Sequence, residues 1–328
     1  MLPHYQTIKI REDQRVGVIT IPQGLSKPYV RRHNKREEIY IRVGSASQLA
    51  TREQQARLFE LGGMIHTELL PVPGSSFDCL DIVRVENYLR GFIQEPDIPK
   101  DEDSWKKRLE RLGFLTLSGE MLYCSIAGMV LFGKTPRRYL KQAGIRVLAF
   151  DGINKEYNAK LDKVLDSPIV GRYENTGKLS DVIELGLIEQ LIETIIPFIS
   201  QDSNAIDESM RRKRTFDYPL DALRESFLNA IAHRDWTRNL EIEVGIYSDR
   251  LEVISPGALP NSMTVEKMIA GQRSPRNTTI VEVLRDYGFV DSRGMGVRRK
   301  ILPMMIELNG NEPVFESNED FLKTVLFK

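Results

Sequence analysis

The chain has 328 residues with 46 basic and 46 acidic side chains, so its formal net charge is zero and no global field draws it to nucleic acid or an anionic surface. Hydrophobic content of 41% and charged content of 28% are those of a globular protein, and the length holds two or three domains with substantial cores. No apolar run approaches the roughly 18 residues a membrane span needs, and the two cysteines, Cys79 and Cys124, lack metal-ligand spacing, which predicts buried thiols in a cytoplasmic protein.

Charge is unevenly placed: residues 1–60 carry 11 Lys/Arg against 6 Asp/Glu, a local excess of +5. Val16, Val18, Ile19 and Ile21 predict a strand buried on both faces, and Ile39 and Ile41 alternate around Tyr40 as in a second strand. Thr51 caps a helix to about Leu61. A Gly/Pro/Ser-rich interval from Gly62 to Ser76 reads as a linker. Helical patterns over 80–93 and 103–112 precede two short strands about Ser118-Gly119, a winged-helix-like order that serves DNA contact or plain scaffolding. Gly133-Lys134 lacks the spacing of a phosphate-binding P-loop. Gly144 to Phe150 is a strand, and Leu179 to Ile196 a long helix stopped by Pro197. The run Arg211 to Arg214 is either a nucleic-acid patch or a solvated connection.

The most informative stretch is Arg224 to Asp235, R-E-S-F-L-N-A-I-A-H-R-D. With Asp221 as its N-cap, a helix here places Leu223, Phe227, Ala230 and Ile231 on one face, and Glu225, Asn229 and His233 as a polar stripe on the other. A strand over Ile242 to Ile246 and a second over Leu251 to Ile254 follow, then the loop Ser255-Pro256-Gly257-Ala258-Leu259-Pro260. Arg276-Asn277, and Arg293-Gly294-Met295-Gly296-Val297-Arg298 ahead of a helix from about Val297 to Leu308, complete the set. Glycines at such a helix start let the backbone approach an anion.

These motifs, in this order, resemble the GHKL ATPase superfamily. More closely, they resemble bacterial and archaeal RecG-related ATP-dependent helicases or transcriptional regulators, which pair a Schlafen AlbA-type DNA-binding domain with a C-terminal GHKL-like domain. The resemblance covers residues 1–60 and 78–328. It implies an α+β, multi-domain chain. Residues 1–61 would be the C-terminal part of an AlbA-type module whose full form begins upstream of Met1, 62–77 a linker, 78–200 a winged-helix-like middle, and 201–328 a GHKL-like α/β sandwich.

It further implies Glu225 as catalytic base and Asn229 as Mg²⁺ ligand. His233, Asp235, Ser255, Gly257, Arg293, Gly294, Gly296 and Arg298 would be the nucleotide contacts. Ser255 stands where the superfamily places an adenine-reading Asp, and Met295 where close relatives carry Thr. The cofactors would be ATP and Mg²⁺, and the partners DNA, through Arg31, Arg32, Lys35, Arg36 and Arg42, and a second copy of the chain. Without a P-loop or a RecA-like motor, helicase activity does not follow. Two readings stand: a DNA-associated regulator switched by ATP·Mg, or a scaffold whose GHKL-like domain no longer binds nucleotide. A nuclease would need an acidic cluster, and Glu37-Glu38 in a strand point apart.

Overall fold

The computed structural model describes residues 4–11, 14–20, 28–33, 36–62, 65–174, 182–206, 212–260, 263–272, 274–290 and 295–328. Lys35, Arg211, Arg293 and Gly294 lie outside them. The chain divides into two units, residues 1–65 and 66–328.

In the first unit β1 (His4–Lys9) pairs with β2 (Arg15–Thr20), and β3 (Val30–His33), β4 (Arg36–Val43) and β5 (Ala46–Leu49) form a meander. Gly44, at φ +58°, makes the turn from β4 to β5. Thr51 and Gln54 cap α1 (Arg52–Leu61) reciprocally, as predicted. β2 departs from expectation: its Val16 and Ile19 are exposed, because among the described residues it pairs with one antiparallel strand, β1. Ile39 is buried with Tyr40 exposed beside it, as the alternation requires.

The second unit is built on a six-stranded sheet in the order β16-β17-β15-β14-β8-β9. Its members are β8 (Ile145–Ala149), β9 (Leu161–Leu165), β14 (Ile242–Ile246), β15 (Arg250–Pro256), β16 (Val314–Ser317) and β17 (Phe321–Phe327). Only β14 and β8 run parallel, with Ile242 opposite Ile145. One face carries ion pairs, among them Arg146 to Asp162 at 2.7 Å and Lys155 to Glu243 at 2.7 Å. Against the other pack α6 (Leu187–Ile199) and α7 (Leu220–His233). Beside α7 lies α10 (Leu302–Asn309), entered through a wide π-turn at Val297–Ile301. That turn precedes Pro303, which has no N–H for the Arg299 carbonyl.

Ahead of the sheet come α2 (Ile82–Tyr88), α3 (Glu102–Arg111), the hairpin β6 (Leu115–Ser118) and β7 (Met121–Cys124), α4 (Ile126–Phe132) and α5 (Pro136–Tyr139). Gly128 of α4 lies so close to the Phe114 carbonyl that a Cβ would overlap it. These elements share one core with the sheet: Tyr88 stacks on Tyr287 at 5.6 Å and donates to Asp286 at 2.7 Å. Burial pushes the Cys124 thiol up to about 12.

Several expectations are corrected. The boundary expected at residue 200 falls inside this unit, since β8 and β9 belong to the C-terminal sheet. Residues 182–184 are β11 (Val182–Glu184), paired with β10 (Arg172–Tyr173), and α6 begins only at Leu187, where Gly186 and Glu189 cap it. Pro197 lies inside the last turn of α6 without ending it. β12 (Ser200–Ile206) and β13 (Arg212–Phe216) form a separate hairpin before α7. The stretch read as a linker is packed from Thr67 onward: Val72 and Glu68 are fully buried.

Glu68 has a specific task. Its carboxylate accepts from the Thr278 hydroxyl at 3.0 Å and from the N–H groups of Thr279 at 3.0 Å and Ile280 at 3.4 Å. It thereby caps α9 (Thr278–Asp286) from 210 residues away in sequence. Burial raises the Glu68 carboxyl above its ordinary 4.5, outweighing those three hydrogen bonds. A group raised in the folded state stabilises fully below pH 4.5 and loses that contribution as pH rises through its folded value. Urea unfolding of Glu68→Gln should therefore show a flatter decline of stability above pH 4.5 than the parent, and parallel profiles would refute this account.

Candidate functional site

α7 starts two residues earlier than its predicted cap allows. Pro219, in extended backbone, leads directly into Leu220, and Asp221 sits in the first turn, where its charge favours the helix dipole. Leu223, Phe227, Ala230 and Ile231 are buried as predicted. Glu225 is buried as well, with 4% of its surface exposed, so the polar stripe looks into the protein rather than into open solvent.

Glu225, Asn229 and His233 line a cleft of ≈ 830 Å³ empty space, part of it open to solvent. Its other walls are largely apolar. Leu259, Pro260 and Met263 come from the loop after β15, Met268 from α8 (Val265–Ile269) and Val281 from α9. Gly296 and Val297 close it opposite the stripe. Gly296 has ordinary helical dihedrals, so its requirement is steric: a Cβ there would overlap the Glu225 carboxyl group. The same close approach brings Lys300 Nζ to 3.2 Å from Glu225 Oε2, while Asn229 Nδ2 lies 3.5 Å from Oε1. A buried carboxylate is thus held by one cation at the cleft wall.

Behind the cleft, the last carbonyls of α7 are met by side chains from elsewhere. Ser255 Oγ donates to Ala230 O at 2.8 Å, Asn277 Nδ2 to Ala232 O at 3.0 Å and to Arg234 O at 2.9 Å, and Arg276 Nη1 to His233 O at 3.2 Å. A helix C-terminus leaves such carbonyls without intrahelical donors, and these three residues supply them. Arg276 Nη2 also donates to Ala258 O at 2.7 Å. Gly257, at φ +107°, lies where a Cβ would overlap both Asp235 and the Arg276 guanidinium. Burial raises the Asp235 carboxyl, but the Arg276 charge and two hydrogen bonds from Thr237 outweigh it and hold the group below its ordinary range.

The structure therefore sorts the sequence candidates. Glu225, Asn229, His233 and Gly296 share the cleft. Ser255, Gly257 and Asp235 lie in the capping knot behind it, with the Ser255 hydroxyl engaged by α7. Arg298 is exposed on the π-turn and is not among the cleft's lining residues, and Arg293 and Gly294 lie outside the described residues. Arg31, Arg32, Arg36 and Arg42 are exposed in the first unit, where Arg32 pairs with Glu37 at 3.0 Å and Arg42 donates to Ser47 at 3.2 Å. Lys300 was missed. Its signal was the Gly-x-x-x-Lys spacing from Gly296, which places both on one side of a helix.

Asn277→Ala should lower stability by about 2 kcal/mol, because two buried carbonyls lose their donor. The urea midpoint should fall at unchanged slope, and an unaltered midpoint would remove Asn277 from this role.

Residues 240–326 match the family described as "Putative ATP-dependent DNA helicase recG C-terminal", a RecG-related ATPase-like domain. No curated protein matches the chain. Among solved structures, the chain is similar in fold to the DIP2311 protein from Corynebacterium diphtheriae, with a TM-score of 0.52 and 22% identity over 99% of this chain. The chain spans 59% of that protein's length. Among the described residues, no helix is long and apolar enough to cross a membrane.

Proposed function

We propose that the cleft beside α7 binds a magnesium–adenine nucleotide, and that the chain is a nucleotide-responsive regulator rather than a motor. The observation that carries this is the convergence of Glu225, Asn229, His233 and Gly296 on one cleft with apolar walls. Those walls suit a base, and the polar stripe suits phosphates and their metal. The donor chemistry fits Mg²⁺, which takes oxygen ligands and keeps waters and phosphates in its shell. The Asn229 carboxamide oxygen would hold the metal, with Glu225 beside it. Among the described residues no cluster of three or more His, Cys, Asp or Glu side chains offers an all-protein cage. When bound, the metal would neutralise phosphate charge.

Glu225 is poorly placed to take a proton while Lys300 sits on its Oε2. The ammonium occupies that oxygen's hydrogen-bonding side, so an attacking water would have to compete with it for the carboxylate. This supports binding and conformational response ahead of rapid turnover. A second reading, a scaffold without nucleotide, is favoured by Ser255: its hydroxyl is engaged with Ala230, and residues 255–260 contain no carboxylate for an adenine amino group.

Calorimetric titration of Mg-ATP and Mg-ADP separates the two. Saturable binding should weaken at least about tenfold in Asn229→Ala, a change of about 1.4 kcal/mol. Gly296→Ala should also weaken it, since the new methyl displaces the Glu225 carboxyl group. No heat from a folded protein would leave the scaffold reading.

Contact with nucleic acid is assigned in the same proposal to the first unit, supported by its excess of 11 basic over 6 acidic side chains in residues 1–60. The Arg32–Glu37 pair tempers that field. Filter binding to duplex DNA should fall steeply with salt and show little sequence preference. Absence of binding at low salt would remove this part.

A further inference from the structure

The second unit contains another cavity, which shares no lining residue with the nucleotide cleft. It lies at the starts of β8 and β14, between Val130 of α4, Leu187 of α6 and Ile231 of α7. It has room for one occupant about the size of a water molecule. Its walls are aliphatic except at three positions: Ser167, Arg234 and Trp236.

Each of these three side chains carries a buried polar atom with no hydrogen-bond partner: Ser167 Oγ, Arg234 Nε and Trp236 Nε1. Arg234 is 1% exposed, Trp236 5% and Ser167 9%. Buried donors in native proteins are nearly always satisfied, so three such atoms around one cavity call for an occupant.

Charge decides which occupant. Arg234 Nη1 donates to Gln142 O at 2.6 Å, and Nη2 to Leu240 O at 2.8 Å and Arg238 O at 3.2 Å, all neutral carbonyls. No carboxylate forms an ion pair with it among the described residues. The nearby Asp235 is engaged with Thr237 and Arg238, and Glu241 pairs with Arg137 at 2.5 Å. Burial pushes the guanidinium down to about 9, the mark of a cation removed from water without a counterion in contact; it stays charged at neutral pH. Its face lies 4.1 Å over the Trp236 ring, which fixes the two groups together.

A water molecule could accept from the Arg Nε–H and indole Nε1–H and donate to Ser167, but being neutral it would leave the buried charge of Arg234 without a counterion. An anion uses all three donors and answers the charge of Arg234.

We propose that Ser167, Arg234 and Trp236 form a binding site for a single small monovalent anion, of halide size, that neutralises the buried guanidinium and ties the end of α7 to the loop after β9. The ligand class is set by the charge of Arg234 without an ion-pair partner among the described residues, the three available donors, the aliphatic walls and the room for one occupant. The site is independent of whether the cleft binds nucleotide.

The probe is chloride, exchanged for sulfate at constant ionic strength in the full chain. The melting temperature should rise by up to about 3 °C for each tenfold increase in chloride above its dissociation constant. Trp236→Phe keeps an aromatic ring at this position but removes the N–H together with part of the indole, and Ser167→Ala removes only the hydroxyl. Either change should reduce the chloride dependence at least threefold, whatever it does to the baseline. Crystals grown in bromide should show an anomalous peak among the three side chains. A melting temperature indifferent to chloride, a chloride dependence in both variants equal to that of the parent, or ordered water with no anomalous signal would each overturn the proposal.

Discussion

The second unit depends on how the C-terminus of α7 is closed. A helix that ends inside a protein presents carbonyl groups that water cannot reach, and each must find a donor. Here Ser255, Arg276 and Asn277 supply them, and all three come from segments later in the chain. Because the same side chains hold the Ser-Pro-Gly loop and the start of α9, satisfying one helix end fixes three walls of the cleft together. Arg234 completes the knot from the other side through Gln142 and Leu240. The capping network and the cleft are therefore one construction, with polar satisfaction at the back and the open polar stripe at the front.

At the front, a single missing atom sets the geometry. Gly296 lets the π-turn settle onto Glu225, and the widened turn before Pro303 carries Lys300 to the carboxylate. A buried carboxylate without a cation would be strongly disfavoured, so Lys300 makes the burial of Glu225 tolerable. The consequence for the site is that the carboxylate lining the cleft is already engaged by a cation.

The middle of the chain is not a separate attachment. Tyr88 on Tyr287, the Glu68 cap on α9 and the strands β8 and β9 place residues 66–200 in one body with those that follow. Each of these contacts joins segments more than 90 residues apart, which is why local composition marked a linker and a domain boundary where the folded chain has neither.

The sequence by itself determined what depends on local periodicity and short motifs. That includes the apolar face of α7, the Thr51 capping box, the wing hairpin, the strands on either side of Ser248-Asp249, and the i, i+4, i+8 stripe of Glu225, Asn229 and His233. Side-chain spacing along a regular element is enough for these. Tertiary structure alone decided what each remaining motif touches. Ser255 and the Arg276-Asn277 pair look like ligand or turn residues in one dimension, yet their partners are the carbonyl ends of a helix formed over twenty residues earlier. The Lys300–Glu225 pair, the distant Glu68 cap and the convergence of Ser167, Arg234 and Trp236 are likewise invisible along the chain. Hydrogen bonding and burial are satisfied in space, and no pattern along a sequence states which distant carbonyl, carboxylate or cavity a side chain will meet.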